Sequence, residues 1–484
     1  MNRTRSLVAA IGIVALVIAG CSSSTTQGLA VSPLYDAFRA GGLPAEDGPS
    51  GIKGNAPAPQ GDVANTDNGD VDKLSLLAIN DIADFWEKNY SESLKGTFTP
   101  IEKLVSYDSD DPSSPKVCGQ STYKLQNAFY CFGRDTMAWD RGELVPTGKK
   151  YFGDPAVAAL FAHEYGHAIQ NMAGLRDDHT PSIVKEQQAD CFAGTYIRWM
   201  AEGQSPRFKL STGDGLNHVL AAVITLRDPV FGTNEAEQTA DQEHGSAMDR
   251  ISAFQIGFSS GASECAKIDS AEIKERRGDL PQTLPEDPTG EVQSGDIDIT
   301  EDVLTSLMDT LNEVYKLKNP PKLSFDQPTC SDAKPNPPAF YCPSSNTIFA
   351  DASALEDLGK PADISDKMLV KGDDTALAAV TSRYALAVQH EKGEPLDTPA
   401  AALRTACLTG LAQAAMAEPI ELPDGKTPLT LSAGDLDEAV ASLLTTGFIA
   451  SNVNAETVPS GFTRIVAFRS GLGNDADLCY ERFK

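Results

Sequence analysis

Residues 161–170 read FAHEYGHAIQ, and residues 379–389 in the other half of the chain read AVTSRYALAVQ. Each stretch has a tyrosine followed five residues later by a glutamine, with small and apolar residues around both. Such stretches are typical of helices buried in a protein core. Only the first stretch carries two histidines and a glutamate. We therefore ask whether it is a metal site and the second stretch a copy that has lost it.

The first stretch lies on a predicted helix that begins at Asp154-Pro155, where Asp is a favoured N-cap and Pro a favoured first residue. Gly174 is typical of the C-cap of that helix. His163 and His167 are four residues apart, so they share one face of the helix and can bind one metal ion. Glu164, one step round, can reach a water on that metal, which is the HExxH arrangement.

The next predicted helix carries EQQAD at residues 186–190 and offers a candidate for a third metal ligand. Glu186 comes 19 residues after His167, and two antiparallel helices with that connection can bring it to the metal. Asp190 lies one turn further on and can accept the free ring N–H of a ligand histidine, which fixes the tautomer of that ring. The competing interpretation is a solvated acidic helix face beside two hydrogen-bonded core histidines. The buried-looking CFAG that follows Asp190 argues against it.

Eight of the nine cysteines fall into two sets of four with similar spacing. Separations of 13 and 74 residues in the first set match separations of 12 and 72 in the second. NAFYC and PPAFYC, LSTGD and LSAGD, and RISAFQIG and RIVAFRSG recur in the same order. We therefore predict a tandem duplication. Among the three disulfide pairings that keep the halves alike, we favour Cys118–Cys131, Cys191–Cys265, Cys330–Cys342 and Cys407–Cys479.

Composition divides the chain into domains. Residues 21–70 are rich in Ser, Gly, Pro, Asp and Asn and are predicted to form a flexible tether. Residues 71–273 and 297–484 each show a helical pattern, a short pair of strands between cysteines and several more helices. The polar residues 274–296 between them are predicted to be a linker. The fold class that follows is mainly α with small β elements, an α+β fold built twice.

The second domain is predicted to lack the metal site. We aligned the halves on the shared tyrosine and on Cys191 and Cys407. Opposite His163, Glu164, His167, Glu186 and Asp190 lie Ser382, Arg383, Leu386, Ala402 and Ala406. The cysteines and the apolar positions remain, so the second domain keeps the scaffold and loses the ligands.

The first twenty residues predict a lipoprotein signal peptide. Arg3 and Arg5 precede an apolar run of 13 residues from Leu7 to Ala19, which is too short for a bilayer span. The run ends in VIAGC, which resembles the bacterial lipobox and implies cleavage before Cys21 and acylation of that cysteine. We therefore expect a lipid anchor in the cell membrane and an extracytoplasmic location.

The net charge of the chain limits the classes of partner that it can bind. Forty basic and 68 acidic residues give a formal net charge of −28, whereas a nucleic-acid partner requires a basic surface. No nucleic-acid partner is therefore expected, and the acidic side chains are expected to solvate the surface. The expected partners are a protein or peptide substrate of the cell envelope, the membrane through the lipid anchor, and an envelope protein bound by the second domain.

HEYGHAIQ, EQQADCFAG, LSTGDGLNHVLAAV and HGSAMDR occur in that order between residues 118 and 265. Together they resemble the bacterial neutral zinc metallopeptidases of the gluzincin type. The resemblance implies a zincin-like fold, Zn²⁺ bound by His163, His167 and Glu186, and Glu164 as the catalytic base. One departure is Ala168, where family members often carry another histidine; the ligand positions are intact.

Catalysis by such a site is expected to require one further residue. Three protein ligands leave one position on zinc for water, whose proton Glu164 takes during attack on a peptide carbonyl. The resulting oxyanion needs a hydrogen-bond donor, and His244 in His-Gly-Ser is the candidate. The alternative for His244 is a surface histidine in an acidic loop.

Two functions of different kinds remain open from the sequence. The first is a membrane-anchored zinc endopeptidase that cleaves envelope or secreted protein. The second is a non-catalytic envelope lipoprotein, a binding scaffold in which any zinc is structural. A solute-binding lipoprotein would fit the tether but would leave HExxH and ExxxD unexplained.

Overall fold

The structure is a computed structural model that describes residues 24–26, 29–232, 243–284, 286, 289, 291–292, 295–326, 329–361, 369–473 and 475–484. The predicted signal peptide and Cys21 lie outside these residues. Among the helices that are described, none combines the length and the apolar character needed to cross a membrane.

Helices dominate both halves. In the first half they span Asp70–Ser93 (α1), Leu144–Phe152 (α2), Asp154–Ala173 (α3), Ser182–Ala201 (α4), Asp214–Thr225 (α5), Ala247–Ser260 (α6), Ala262–Cys265 (α7) and Ser270–Arg277 (α8). In the second half they span Glu301–Tyr315 (α9), Ala352–Gly359 (α10), Asp373–Glu391 (α11), Pro399–Met416 (α12), Asp435–Leu444 (α13), Gly461–Gly471 (α14) and Ala476–Arg482 (α15). The predicted fold class, mainly α with small β elements, is confirmed.

The strands are short. They span Ser24–Thr26 (β1), Leu29–Val31 (β2), Arg39–Ala40 (β3), Leu43–Pro44 (β4), Gly51–Ile52 (β5), Val63–Ala64 (β6), Lys103–Tyr107 (β7), Lys116–Val117 (β8), Gln120–Ser121 (β9), Ala128–Cys131 (β10), Thr136–Asp140 (β11), Phe208–Lys209 (β12), Lys322–Ser324 (β13), Ala339–Cys342 (β14) and Thr347–Ala350 (β15). The main sheet of the first half has the order β10-β11-β7-β6, and that of the second half has the order β13-β15-β14.

The two main sheets share a pairing pattern. β11 is antiparallel to β10 and parallel to β7, and β15 is likewise antiparallel to β14 and parallel to β13. The four disulfides have the pairing favoured from the repeat, Cys118–Cys131, Cys191–Cys265, Cys330–Cys342 and Cys407–Cys479. The duplication and the two-domain division stay predictions, and the common topology is consistent with them.

One hydrophobic core runs through both halves. Helices α5 and α6 of the first half pack against α13 of the second, and α5 also contacts α14. The side-chain amide of Gln255 donates to the carbonyl oxygen of Phe462 at 2.9 Å. Arg227 pairs with Asp437 at 3.2 Å. Polar contacts therefore reinforce an apolar interface between the halves.

Residues 21–70 were predicted to form a flexible tether, but much of the described part of this segment is folded. Ala40 is fully buried, β5 pairs with β12, and β6 pairs with β7. The backbone N–H of Gly213 donates to the carbonyl oxygen of Glu46 at 2.9 Å. Much of this packing uses backbone groups, which the polar side-chain composition does not reveal. The described residues from about 35 to 70 are thus part of the folded first half.

Two other boundaries differ in detail. Residues 274–277 of the predicted linker belong to α8, where Arg277 pairs with buried Asp249 at 2.8 Å. Helix α3 begins at Asp154, but its N-cap is Gly153. Its C-cap is Gly174 in the left-handed region with φ 66°, as predicted.

Glycines allow the closest helix crossing in each half. Helices α4 and α6 cross at Gly194 and Gly257, where an added Cβ would overlap a carbonyl oxygen of the opposite helix. Gly410 and Gly471 have the same relation where α12 and α14 cross. The two backbones therefore touch directly, and any side chain at these positions would push the helices apart.

Gly257→Ala should destabilise the protein, because its Cβ has no space against the backbone of α4. We expect the free energy of unfolding to fall by about 3 kcal/mol, measured by denaturant unfolding. Gly148→Ala on α2 is the control, since the nearest atom to its Cβ would be 3.9 Å away. Equal loss of stability in the two variants would contradict the argument.

Candidate metal centre

The site begins with the contact between α3 and α4. A Cβ on Gly166 would lie 2.9 Å from the Cα of Ala189, so the two helices approach backbone to backbone. This approach places the HExxH face of α3 opposite the EQQAD face of α4. The side chains that the sequence analysis singled out on both helices therefore meet in one place.

Three of these side chains form a compact ligand set. The Nε2 of His163 lies 3.1 Å and the Nε2 of His167 lies 3.5 Å from the same oxygen of Glu186. In a tetrahedral zinc site with bonds of about 2.0–2.1 Å, ligand atoms are separated by about 3.3 Å. The predicted ligands are thus positioned as one zinc ion requires.

Asp190 orients the first of these ligands. One of its oxygens lies 2.8 Å from the Nδ1 of His163, and the guanidinium of Arg250 donates to both oxygens at 2.8 Å. Because a carboxylate only accepts, Nδ1 carries the proton and Nε2 remains for a metal. Burial opposes ionisation of Asp190, but Arg250 and His163 outweigh it and lower the pKa of this carboxyl to about 2.

Two of the ligand groups, His163 and Glu186, have strongly shifted pKa values. Burial favours neutral His163, but Asp190 and Glu186 outweigh it and raise the pKa of the imidazole to about 10. Burial likewise opposes ionisation of Glu186, but the two imidazoles hold the pKa of its carboxyl well below the ordinary value. A metal ion that binds Nε2 therefore takes the place of a proton.

His167 is oriented by a glutamine. Its Nδ1 lies 3.1 Å from the side-chain oxygen of Gln170, whose amide nitrogen donates to Gln188 at 3.1 Å. The amide of Gln188 in turn donates to the carbonyl oxygen of Ile268 at 2.9 Å. Sequence reasoning gave Gln170 no role in the site. Its place three residues after a ligand histidine is a signal that could have identified it.

Glu164 is buried beside the ligands and is fixed from the sheet. One of its carboxylate oxygens accepts the backbone N–H of Tyr130 on β10 at 2.9 Å. Burial raises the pKa of Glu164, and the nearby imidazoles of His163 and His167 reduce this effect. A carboxyl with a raised pKa next to a metal can take up and release a proton.

His244 lies at the edge of the same site. Its Nδ1 is 3.0 Å from Asp228, and its Nε2 is 3.9 Å from the oxygen of Glu186 that faces both ligand histidines. The hydrogen bond to Asp228 raises the pKa of His244 despite partial burial. The structure therefore brings His244 to the ligands, while Asp228 was not anticipated.

A cavity of about 300 Å³ opens beside these residues. His163, Glu164 and His244 are among the residues that line it. The lining also contains apolar residues, including Leu144, Val145, Phe152, Leu160, Val223 and Leu226. All of the lining residues in the described part of the chain belong to the first half.

The second half has a buried arginine at the position aligned with Glu164. Arg383 donates to the carbonyl oxygen of Phe448 at 3.0 Å and to the hydroxyl of Ser451 at 2.8 Å. Its guanidinium also stacks on the Phe448 ring at 4.3 Å. Among the described residues, the His-His-Glu ligand set does not recur in this half.

Residues 45–270 match the family described as "Putative neutral zinc metallopeptidase". The first half of the chain belongs to this family. The matched region includes every proposed ligand of the metal. It begins within residues 35–70, the segment that is folded as part of the first half.

The chain has relatives in Escherichia coli and Mycobacterium tuberculosis. It is 26% identical over 205 residues to "Uncharacterized protein YpfJ" of Escherichia coli K12, which is 39% of this chain and 68% of that protein. It is 25% identical over 162 residues to "Uncharacterized protein Rv2575" of Mycobacterium tuberculosis, which is 30% of this chain and 55% of that protein. No solved structure matches the chain.

The ligand set predicts about one zinc ion per chain, held in the first half. We expect His163→Ala to lose this zinc, because only one imidazole and one carboxylate remain. Elemental analysis after dialysis measures the content. His218→Ala, at an exposed position on α5, should keep it. Two zinc ions per chain, or equal content in the two variants, would contradict the assignment.

Proposed function

We propose that the first half is a zinc metallopeptidase that hydrolyses peptide bonds. The observation that carries the proposal is the convergence of His163, His167 and Glu186 on one point beside Glu164. Two neutral imidazole nitrogens and one carboxylate oxygen are a typical donor set of catalytic zinc. Membership in the zinc metallopeptidase family supports the same chemistry.

The residues present fit the metal in a second respect. The Nδ1 of His163 is hydrogen-bonded to Asp190. The Nε2 of the same ring faces Glu186 and is therefore the nitrogen available to a metal. When bound, zinc acts as a Lewis acid that polarises a carbonyl oxygen and lowers the pKa of water to about 7. His163, His167 and Glu186 would hold it.

Proton transfer falls to Glu164. The Tyr130 N–H holds one carboxylate oxygen at 2.9 Å, which leaves the other to accept a proton from the attacking water. The buried carboxyl then donates this proton to the leaving amine, which cannot depart as an anion. Its raised pKa suits this second role, because it makes the protonated form easier to reach.

His244 stabilises charge that develops on the carbonyl oxygen. Because its Nδ1 faces Asp228, its Nε2 is directed toward the ligand set and can donate there. A preorganised donor of this kind lowers the barrier because it interacts more strongly with the transition state than with the substrate.

The substrate is proposed to be a protein or peptide with a large apolar side chain near the cleaved bond. Glu164 and many apolar residues line the same 300 Å³ cavity, which supports this class. We further propose acylation at Cys21 and an extracytoplasmic membrane location. The lipobox-like VIAGC and the four disulfides, which are typical of exported proteins, support both.

Glu164→Gln should keep zinc and lose hydrolysis, because the amide cannot accept and return the proton. We expect kcat to fall by about 10²–10⁴-fold, measured on peptide libraries rich in large apolar residues. Zinc content is the internal control for the folded site. A zinc-loaded wild type that cleaves nothing, with the Glu164→Gln protein supporting normal cell growth, would favour the non-catalytic scaffold instead.

His244→Ala should reduce kcat by about 10²-fold with little change in KM, since the donor acts in the transition state. Zinc content should stay unchanged, because His244 is not a ligand. His218→Ala again serves as the control. A wild-type kcat in His244→Ala would show that this histidine has no part in catalysis.

A further inference from the structure

The residues from His244 to Ala247, which we call the His244 segment, are held through Asp228. The carboxylate of Asp228 accepts the backbone N–H of His244 at 2.6 Å and that of Gly245 at 2.9 Å, in addition to its bond with the imidazole. Ser246 is the N-cap of α6, which begins at Ala247. The position of the His244 ring therefore depends on what fixes Asp228 and the start of α6.

Asp437 on α13, in the second half, contacts both of these places. One of its carboxylate oxygens accepts the backbone N–H of Ala247 at 2.9 Å. The other lies 3.2 Å from the Nε of Arg227, the residue before Asp228, and the side chain of Asp437 is only 4% exposed. One buried carboxylate of the second half thus joins the two stretches that hold the His244 ring.

The surroundings of Asp437 support a charged carboxylate at neutral pH. Burial raises the pKa of Asp437 to about 6. Arg227 and the backbone N–H groups of Ala247 and Met248 act in the opposite direction and limit the rise. The first N–H groups of a helix have no partner within the helix, and the helix dipole attracts negative charge to this end. Removal of the carboxylate would leave the N–H of Ala247 and the guanidinium of Arg227 without this partner.

The other half has a matching contact that carries no charge. Helix α14 begins at Gly461, whose backbone N–H donates to the side-chain oxygen of Asn217 on α5 at 3.0 Å. Each half therefore binds the first N–H of a helix in the other half. A neutral amide is sufficient for this contact at Gly461. The charge of Asp437 is thus explained by Arg227 rather than by the helix end alone.

The helix that carries Asp437 does not itself require a carboxylate at this position. When LSTGD and LSAGD are aligned, Leu216 on α5 lies opposite Asp437 on α13. An apolar residue therefore serves the same place in the first half, and the acid is a specific feature of the second.

The second half also reaches the surroundings of His244 through a cavity. His244 and Asp437 both line a cavity of about 540 Å³, whose lining includes Ser432, Ala433 and Leu436 of the second half as well. His244 lines the 300 Å³ cavity that contains Glu164 too. Contacts between the halves thus extend to a residue of the proposed catalytic site.

We propose that Asp437 is a positioning residue that holds His244 where its Nε2 can donate to the developing oxyanion. The proposal rests on the peptidase function proposed above and gives the half without zinc ligands a part in that site. A donor that is fixed before the reaction stabilises the transition state without having to be ordered during it. The two halves then form one catalytic unit.

Kinetics of the zinc-loaded full chain test this role. Asp437→Ala should lower kcat by about tenfold to 10²-fold with little change in KM, because a small displacement of the donor weakens transition-state binding. Asp437→Asn keeps a hydrogen-bond acceptor and loses the charge beside Arg227, so it should restore part of the activity. In a His244→Ala background, Asp437→Ala should have no further effect on kcat, since it acts through that ring. Asn217→Ala removes the matched contact at Gly461 and, as the control, should keep the wild-type kcat.

Hydrogen exchange gives a readout that does not depend on activity. In Asp437→Ala, the amides of residues 243–249 should exchange faster by about tenfold or more, because the start of α6 loses its partner in the second half. In Asn217→Ala, faster exchange should be confined to the start of α14. Zinc content should stay unchanged in both variants, because neither residue is a ligand.

Three results would overturn the proposal. One is a wild-type kcat in Asp437→Ala when His244→Ala is impaired. Another is an equal loss of kcat from Asp437→Ala with and without the His244 ring, which would indicate a general loss of stability. The third is unchanged exchange of residues 243–249 in both Asp437 variants.

Two further outcomes are covered by the same design. If Asp437→Ala does not fold, Asp437→Asn retains an acceptor and carries the same comparisons. If the zinc-loaded wild type hydrolyses nothing, the proposed peptidase function fails, and hydrogen exchange still decides whether Asp437 holds the His244 segment.

Discussion

The carboxylate of Asp190 is the buried charge on which the metal centre depends. It accepts from the ring of His163 on α3 and from the guanidinium of Arg250 on α6, while it stands on α4 itself. One side chain therefore sets the tautomer of a ligand and links three helices. Its neighbour Cys191 is bonded to Cys265, which joins α4 covalently to α7, the short helix that follows α6. Loss of the carboxylate would leave a buried cation unpaired, so stability and metal binding are coupled at this position.

The second half also buries an arginine on the corresponding helix, but without a carboxylate beside it. Arg464 aligns with Arg250, but Ala406 stands where Asp190 would be. The guanidinium of Arg464 donates instead to backbone carbonyl oxygens, among them that of Leu443 at 2.9 Å. Burial with neutral partners lowers the pKa of Arg464 to about 10 and that of Arg383 to about 9. Backbone dipoles thus hold buried arginines where the first half uses a charged network.

The sequence predicted those parts of the site that local spacing determines. Two histidines four residues apart must share a helix face, and the cysteine repeat leaves few pairings. Contacts that depend on tertiary packing were not accessible. The Tyr130 N–H that holds Glu164 comes from a distant strand, and the packing of residues 35–70 uses backbone groups. The role of Asp228 depends on its hydrogen bond with His244, 16 residues away in sequence, which no sequence pattern specifies.

The continuous core also bears on how the protein can be divided. Helices α5 and α6 have one face against their own half and another against α13 and α14, and Phe258 packs on Phe462 with ring centroids 4.9 Å apart. A fragment that ends after α8 would bare these apolar faces to water and would tend to self-associate. The smallest well-behaved unit for expression is therefore the pair of halves together, even though every zinc ligand belongs to one of them.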